Sequence, residues 1–241
     1  MPTFTTTGDV DPFLHVSMTK GEKIYCESDA MVMMEDTLDL KGKMTGGIGS
    51  AIMRRFANGE SFFQQHIEAV RGDGDCLLSP TLPGAMEVID IGVRQYLISD
   101  GAFVAATSTT ELKVRMQSIS NALFADSGGF FVTETSGSGK LIVSGFGSMF
   151  QLDVAPGKDV IIDNSHVVCW DNVLTYKISV TTGGGGSGIS GFIGNMVNSA
   201  MSGEGIVLRF SGTGKVYICS RNRTAFVAWM KSEIAGTKTS R

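Results

Sequence analysis

The sequence predicts an all-β fold of three internally repeated antiparallel β-sandwich units, and three observations carry that expectation. Apolar side chains alternate with polar ones at period two in many short runs, glycine-marked turns separate the runs, and the same order of signals recurs three times along 241 residues. The repeats fall at approximately 14–91, 92–156 and 157–230 of a single domain in pseudo-threefold arrangement, with a flexible C-terminal tail at 231–241.

Each repeat opens on an apolar triplet that runs into an acidic turn. The triplets are Ile24-Tyr25-Cys26 before Glu27, Tyr96-Leu97-Ile98 before Ser99-Asp100, and Val160-Ile161-Ile162 before Asp163. After the turn come Val32, Phe103 and Val167. Alternating strands follow, marked by Leu38 and Leu40, by Leu112, Val114 and Met116, and by Leu174, Tyr176, Ile178 and Val180. A second strand pair closes each repeat around a GxG turn, at Gly72-Asp73-Gly74, Gly137-Ser138-Gly139 and Gly212-Thr213-Gly214, where glycine permits positive φ without steric cost. Two strands of pattern Gly-x-Met-x-x-x-Asp, at Gly84 to Asp90 and Gly147 to Asp153, end the first two repeats, whereas the third ends on the apolar run Ala225 to Trp229.

Between the alternating strand and the GxG hairpin, each repeat inserts a short helical pattern. Ile189, Phe192, Ile193 and Met196 follow the glycine-rich stretch from Gly183 at helical spacing, and Ile48, Ile52, Met53 and Phe56 form the matching stripe in the first repeat. Side chains of this size gain about 1.5–3 kcal/mol each on burial, so the two stripes together form the candidate interaction surface, facing the same chain, another subunit or a membrane. Residues 183–202 hold only seven apolar side chains, too few for a membrane-spanning helix.

The stretches "DNSHVVCWDNVLTYKISV", "GEGIVLRFSGTGKVYICSR" and "YLISDGAFVAA" resemble the bacterial and mitochondrial family named for altered inheritance of mitochondria, over about residues 14–230. The resemblance implies a fold similar to the tryptophan RNA-binding attenuation protein, of double-stranded β-helix type, repeated within one chain. It also implies, for the mitochondrial branch, a role in inner-membrane organisation. It brings no catalytic residues, because the family's members are conserved proteins of unknown function.

Composition narrows the function classes. Hydrophobic residues make up 42% and charged residues 18%, enough for a buried core, and the formal charge of -4 has the wrong sign for general binding to DNA, RNA or anionic lipid. The N-terminus lacks a secretory pattern and the four cysteines form no CxxC pair, so the expectation is a cytoplasmic protein with reduced, buried thiols. The three histidines, His15, His66 and His166, include no HxH pair, and His66-Ile67-Glu68 lacks the PCxxC partner of zinc deaminases. No GxSxG elbow and no GxxxxGK[ST] loop occurs. No catalytic, cofactor or metal residue is therefore expected, and no cofactor. Asp163 and His166 are the ligand candidates; as the alternative, the His166 imidazole hydrogen-bonds a carbonyl and fixes the turn. Lys140 and Lys215, after the GxG turns, are expected to be solvated.

The expected function is a non-enzymatic scaffold or interaction protein that forms a homo-oligomer through sheet edges or the inserted helices, with a protein partner or a membrane-associated complex as further contacts. One alternative is a small-molecule binding protein or enzyme using a cleft between repeats. Another, by fold analogy alone, is single-stranded RNA binding.

Overall fold

Alternation becomes burial at the first opportunity: in β2 (Phe13–Met18) Leu14, Val16 and Met18 are buried while their neighbours are not. β2 lies in a four-stranded sheet ordered β1 (Thr3–Thr7), β2, β7 (Gly74–Leu78), β4 (Met31–Met34). The computed structural model describes residues 1–44, 63–117, 130–180 and 206–237.

Three more sheets complete the described residues. A six-stranded sheet runs β5 (Leu38–Met44), β6 (Phe63–Ala69), β3 (Lys23–Glu27), β10 (Phe103–Thr107), β13 (Gly139–Ser144), β8 (Met86–Ile91). The next runs β11 (Thr110–Gln117), β12 (Phe130–Gly137), β9 (Tyr96–Ser99), β16 (Val167–Asp171), β19 (Gly214–Cys219), β14 (Met149–Val154). The last has three strands, β15 (Val160–Asp163), β18 (Ile206–Ser211) and β17 (Thr175–Val180). All of these strand pairs are antiparallel, so the predominantly β architecture of several antiparallel sheets agrees with the sequence expectation.

Three apolar cores lie between successive sheets. The first joins Leu14, Val16 and Leu78 of the four-stranded sheet to Ile24, Ile67 and Ile142 of the next. The second joins Phe103, Leu141 and Val143 to Ile98, Cys169 and Tyr217 across the two six-stranded sheets. The third sets Trp170 and Val216 against Leu208 and Phe210 of the last sheet, with the Trp170 ring edge-on to Tyr176 at 5.3 Å and to Phe210 at 5.6 Å. Strands of the six-stranded sheets therefore face a core on each side. This explains why β10 and β16 are buried at all five positions, with no alternation for a period-two search to find.

Two details differ from the sequence expectation. Met31, not Val32, takes the position of Phe103 and Val167: Met31 pairs with Leu78, Phe103 with Val143 and Val167 with Ile218, each just before a bulge. The extra bulge residue has no counterpart across the strand pair, so a count along the chain slips by one there. Glycines at different GxG turns also serve different needs. Gly137 has φ +88° and a Cβ there would overlap the Thr109 carbonyl oxygen; Gly74 has no positive φ but would drive a Cβ into the Thr37 hydroxyl.

Each Gly-x-Met strand pairs with a hairpin strand that comes later in the chain, β8 with β13 and β14 with β19. A helix, α1 (Arg223–Thr237), follows β19 and extends through residues 231–237, where the sequence reading places a tail. Its first turn is held by the Asn222 side chain, which accepts from the Ala225 N–H at 2.9 Å, and its Phe226 ring meets Phe146 at 5.2 Å. Among the described residues no helix is long and apolar enough to cross a membrane.

Candidate functional site

The turn after β15 carries both ligand candidates. Asp163 begins a short 3-10 turn over Asn164–His166, and its Oδ1 accepts from the Ser165 N–H at 2.8 Å. The half-buried His166 ring donates from Nδ1 to the Cys219 carbonyl oxygen at 2.8 Å, which ties this turn to the end of β19. A carbonyl can only accept, so the contact fixes the proton on Nδ1. Both candidates thus have structural work within the fold, and for His166 the contact is a carbonyl hydrogen bond of the kind the turn-fixing alternative describes.

The other histidines lie apart. His15 on β2 has Nε2 3.6 Å from Asp75 Oδ2, and His66 on β6 stands edge-on to Tyr25 with ring centroids 6.4 Å apart. Among the described residues no three His, Cys, Asp or Glu side chains come together as a metal group. All four cysteines are free and buried. Burial pushes the Cys26 and Cys76 thiols up to about 12 and raises Cys169 and Cys219 as well, which keeps the nucleophilic thiolate out of reach.

Several charged groups gain partners or surroundings that the sequence does not suggest. Burial pushes the Glu27 carboxyl up to about 7, with the carboxylates of Asp100 and Asp29 raising it further and the Arg223 guanidinium opposing them. Asp171, only 2% exposed, faces the Arg94 guanidinium at 3.4 Å, where β16 adjoins β9. Lys140 and Lys215, expected in solvent, form surface pairs with the aspartates of the Gly-x-Met strands: Lys140 Nζ lies 2.6 Å from Asp90 and Lys215 Nζ 3.6 Å from Asp153. The signal for these pairs is present in the sequence, since each Gly-x-Met-x-x-x-Asp pattern ends on an aspartate and the second and third GxG turns are each followed by a lysine; only the strand register sets them opposite each other.

The remaining feature is a pair of outer strand edges. β4 ends its sheet beyond β7, and β15 ends its sheet beyond β18. Val32 and Met33 on β4 are 52% and 41% exposed, and Ile161 on β15 is 63% exposed. Exposed β-branched and methionine side chains along a backbone edge that is unpaired among the described residues make a template for another strand. The eight residues of the helical stripes, Ile48, Ile52, Met53, Phe56, Ile189, Phe192, Ile193 and Met196, lie outside the described residues.

Comparison with known proteins places the whole chain rather than a site. An uncharacterized protein of Streptococcus pyogenes serotype M6 is 33% identical over 226 residues, 91% of this chain and 86% of its own length. The crystal structure of another Streptococcus pyogenes protein is similar with a TM-score of 0.76 at 30% identity, covering 97% of this chain and 100% of that one. The profile described as mitochondrial biogenesis AIM24 matches residues 4–221, from β1 to just past β19. With that match over nearly its full length, the chain belongs to the mitochondrial biogenesis AIM24 family.

Proposed function

We propose that the protein is a non-enzymatic scaffold that self-associates, built of three copies of one six-stranded sandwich unit of the attenuation-protein type. The strand pairings support the repeat. In each of the stretches 13–78, 86–144 and 149–219, the first and third strands pair with the sixth, and the second and fourth pair with the fifth. On this reading the Gly-x-Met strand opens a unit instead of closing one.

The observation that carries the scaffold reading is how neighbouring units meet. Twice along the chain the second strand of one unit pairs edge to edge with the third strand of the next, β3 with β10 and β9 with β16, so that units share sheets. A fold assembled by edge pairing between like units has the means to add further units. The side chains that first suggest chemistry, Asp163, His166 and the thiols, are meanwhile engaged in turns and cores. Sedimentation velocity of the full chain at micromolar concentration tests the reading. Species heavier than the 25.6 kDa chain are expected, and a single monomer boundary would refute it.

A further inference from the structure

Resting on the self-association reading, we infer that the partner is a second copy of this chain, joined head to tail by antiparallel pairing of β4 in one copy with β15 in the other. Met33, Met34 and Glu35 then lie opposite Ile162, Ile161 and Val160.

The register comes from the two joins inside the chain. At the first, Ala105, Ala106 and Thr107 face Cys26, Tyr25 and Ile24; at the second, Cys169, Trp170 and Asp171 face Ile98, Leu97 and Tyr96. A bulge precedes the pairing on β10 and on β16, and β4 carries the same bulge between Met31 and Met33. β4 therefore has the shape of a joined strand. Among the described residues it lacks a mate, since the two joins use β10 and β16 and leave β4 and β15 at the ends of their sheets.

Burial follows the same correspondence. Val104 and Ala105 are 0% exposed and pack into the first core, which belongs to the preceding unit; Val168 and Cys169, 2% and 0% exposed, pack into the second core in the same way. Their counterparts Val32 and Met33 have no preceding unit among the described residues and stand half in solvent. The next residue obeys the pattern too: Ala106 and Trp170 pack into their own unit's core, and Met34 packs partly on the first core. On this pattern, Val32 and Met33 would enter the third core of a preceding copy.

Charge agrees with the register. Arg94, two residues before β9, faces Asp171 at the end of β16; the matching positions at the outer edges are Lys158 and Glu35, both exposed and of opposite sign. Both internal joins add a backbone bond past the last pair, Ser108 N–H to the Lys23 carbonyl at 3.4 Å and Asn172 N–H to the Gln95 carbonyl at 2.8 Å, and the equivalents are Asp36 and Asp159. Because the two edges belong to the first and last sheets of the series, the contact is heterologous. Copies then add in one direction, into a ring or a filament according to the rotation per copy.

Sedimentation of the full chain, of Met33→Lys and Ile161→Lys, and disulfide trapping between a Met34→Cys chain and an Ile161→Cys chain test this. Lysine on an edge blocks strand addition, so each lysine variant should associate at least about tenfold more weakly while keeping the wild-type circular dichroism spectrum. The two cysteine chains, mixed and oxidised, should give a linked dimer that neither gives alone. Wild-type protein that stays monomeric overturns the self-association reading itself. Wild-type protein that associates, with unaltered lysine variants and no trapped dimer, overturns the edge pairing and leaves self-association standing. A Met34→Cys/Ile161→Cys chain that links only within itself overturns the second copy in favour of closure inside one chain.

Discussion

Replacing Glu27 with Gln separates the cost of a buried carboxylate from everything else at the first internal join. The carboxyl sits at the end of β3, pushed up from an ordinary 4.5 to about 7 by burial, with Asp100 and Asp29 adding to the rise and Arg223 opposing it. In the unfolded chain it ionises near its ordinary value, so between about pH 4.5 and 7 the native state holds a proton that the unfolded state has lost. Stability therefore falls as pH rises through that window. Below it both states are protonated and the term vanishes; above it the full penalty is present. At about 1.4 kcal/mol per pH unit, the shift corresponds to at most about 3 kcal/mol above pH 7. Glu27→Gln keeps the shape and removes the charge, so urea unfolding from pH 4.5 to 8.5 should show no gain at the acid end. The gain should rise between pH 5 and 7 and level off at up to about 3 kcal/mol. Arg223→Ala in the Glu27 background should move the midpoint upward, since it deletes the only opposing charge in that set. A gain that is flat across the whole range would refute the reasoning, as it would place the benefit in packing and not in ionisation.

Other outcomes follow from the same contacts. Trp170→Ala empties the centre of the third core and should cost about 3–5 kcal/mol by chemical denaturation, with Trp170→Phe keeping part of that through the ring contacts to Tyr176 and Phe210. The four buried thiols should resist a disulfide reagent in native protein at pH 8 and all react after denaturation; a fast-reacting native thiol would contradict their burial. His166→Ala leaves the Cys219 carbonyl without its imidazole donor and should cost about 1–3 kcal/mol. Lys140→Ala, at a surface ion pair, should cost less than about 1 kcal/mol, and the loss should shrink in high salt.

The individual strands were legible in the sequence because most have one face in a core. Leu14, Val16 and Met18, or Cys76 and Leu78, alternate with less buried neighbours as a half-buried strand must. The join strands were harder to read, since β10 and β16 touch a core on each face and lose the period. Chain order also hid which sheet each Gly-x-Met strand belongs to: Met86–Ile91 follows the first hairpin closely, but its partner Gly139–Ser144 comes some fifty residues later. Helical spacing drew attention to the inserted stripes, which lie outside the described residues, while α1 went unread. Phe226, Trp229 and Met230 recur at helical intervals there, but Trp229 and Met230 stay exposed, so the run carries no buried stripe. The Asp163 and His166 turn was read from residue type alone; its structural role depends on Cys219, 53 residues further on, which no local pattern reveals.

The cores also explain why edges matter more here than in a chain of independent domains. The first core is completed by Met86, Val104, Ala105 and Ile142, all from strands that pair within the second stretch, and the third takes Leu97 and Val132 from that same stretch. On the proposed three-unit reading the middle unit lends side chains to both neighbours, and stability is a property of the contacts between units as much as of the units themselves, as in repeat proteins whose neighbours are coupled. Among the described residues the last unit receives nothing from a following unit, and the first lends nothing to a preceding one. A structure that builds its first and second cores partly from the next unit leaves one borrowed position unfilled at one end and one unlent edge at the other. Val32 and Met33 mark one of those places, and Ile161 marks the other.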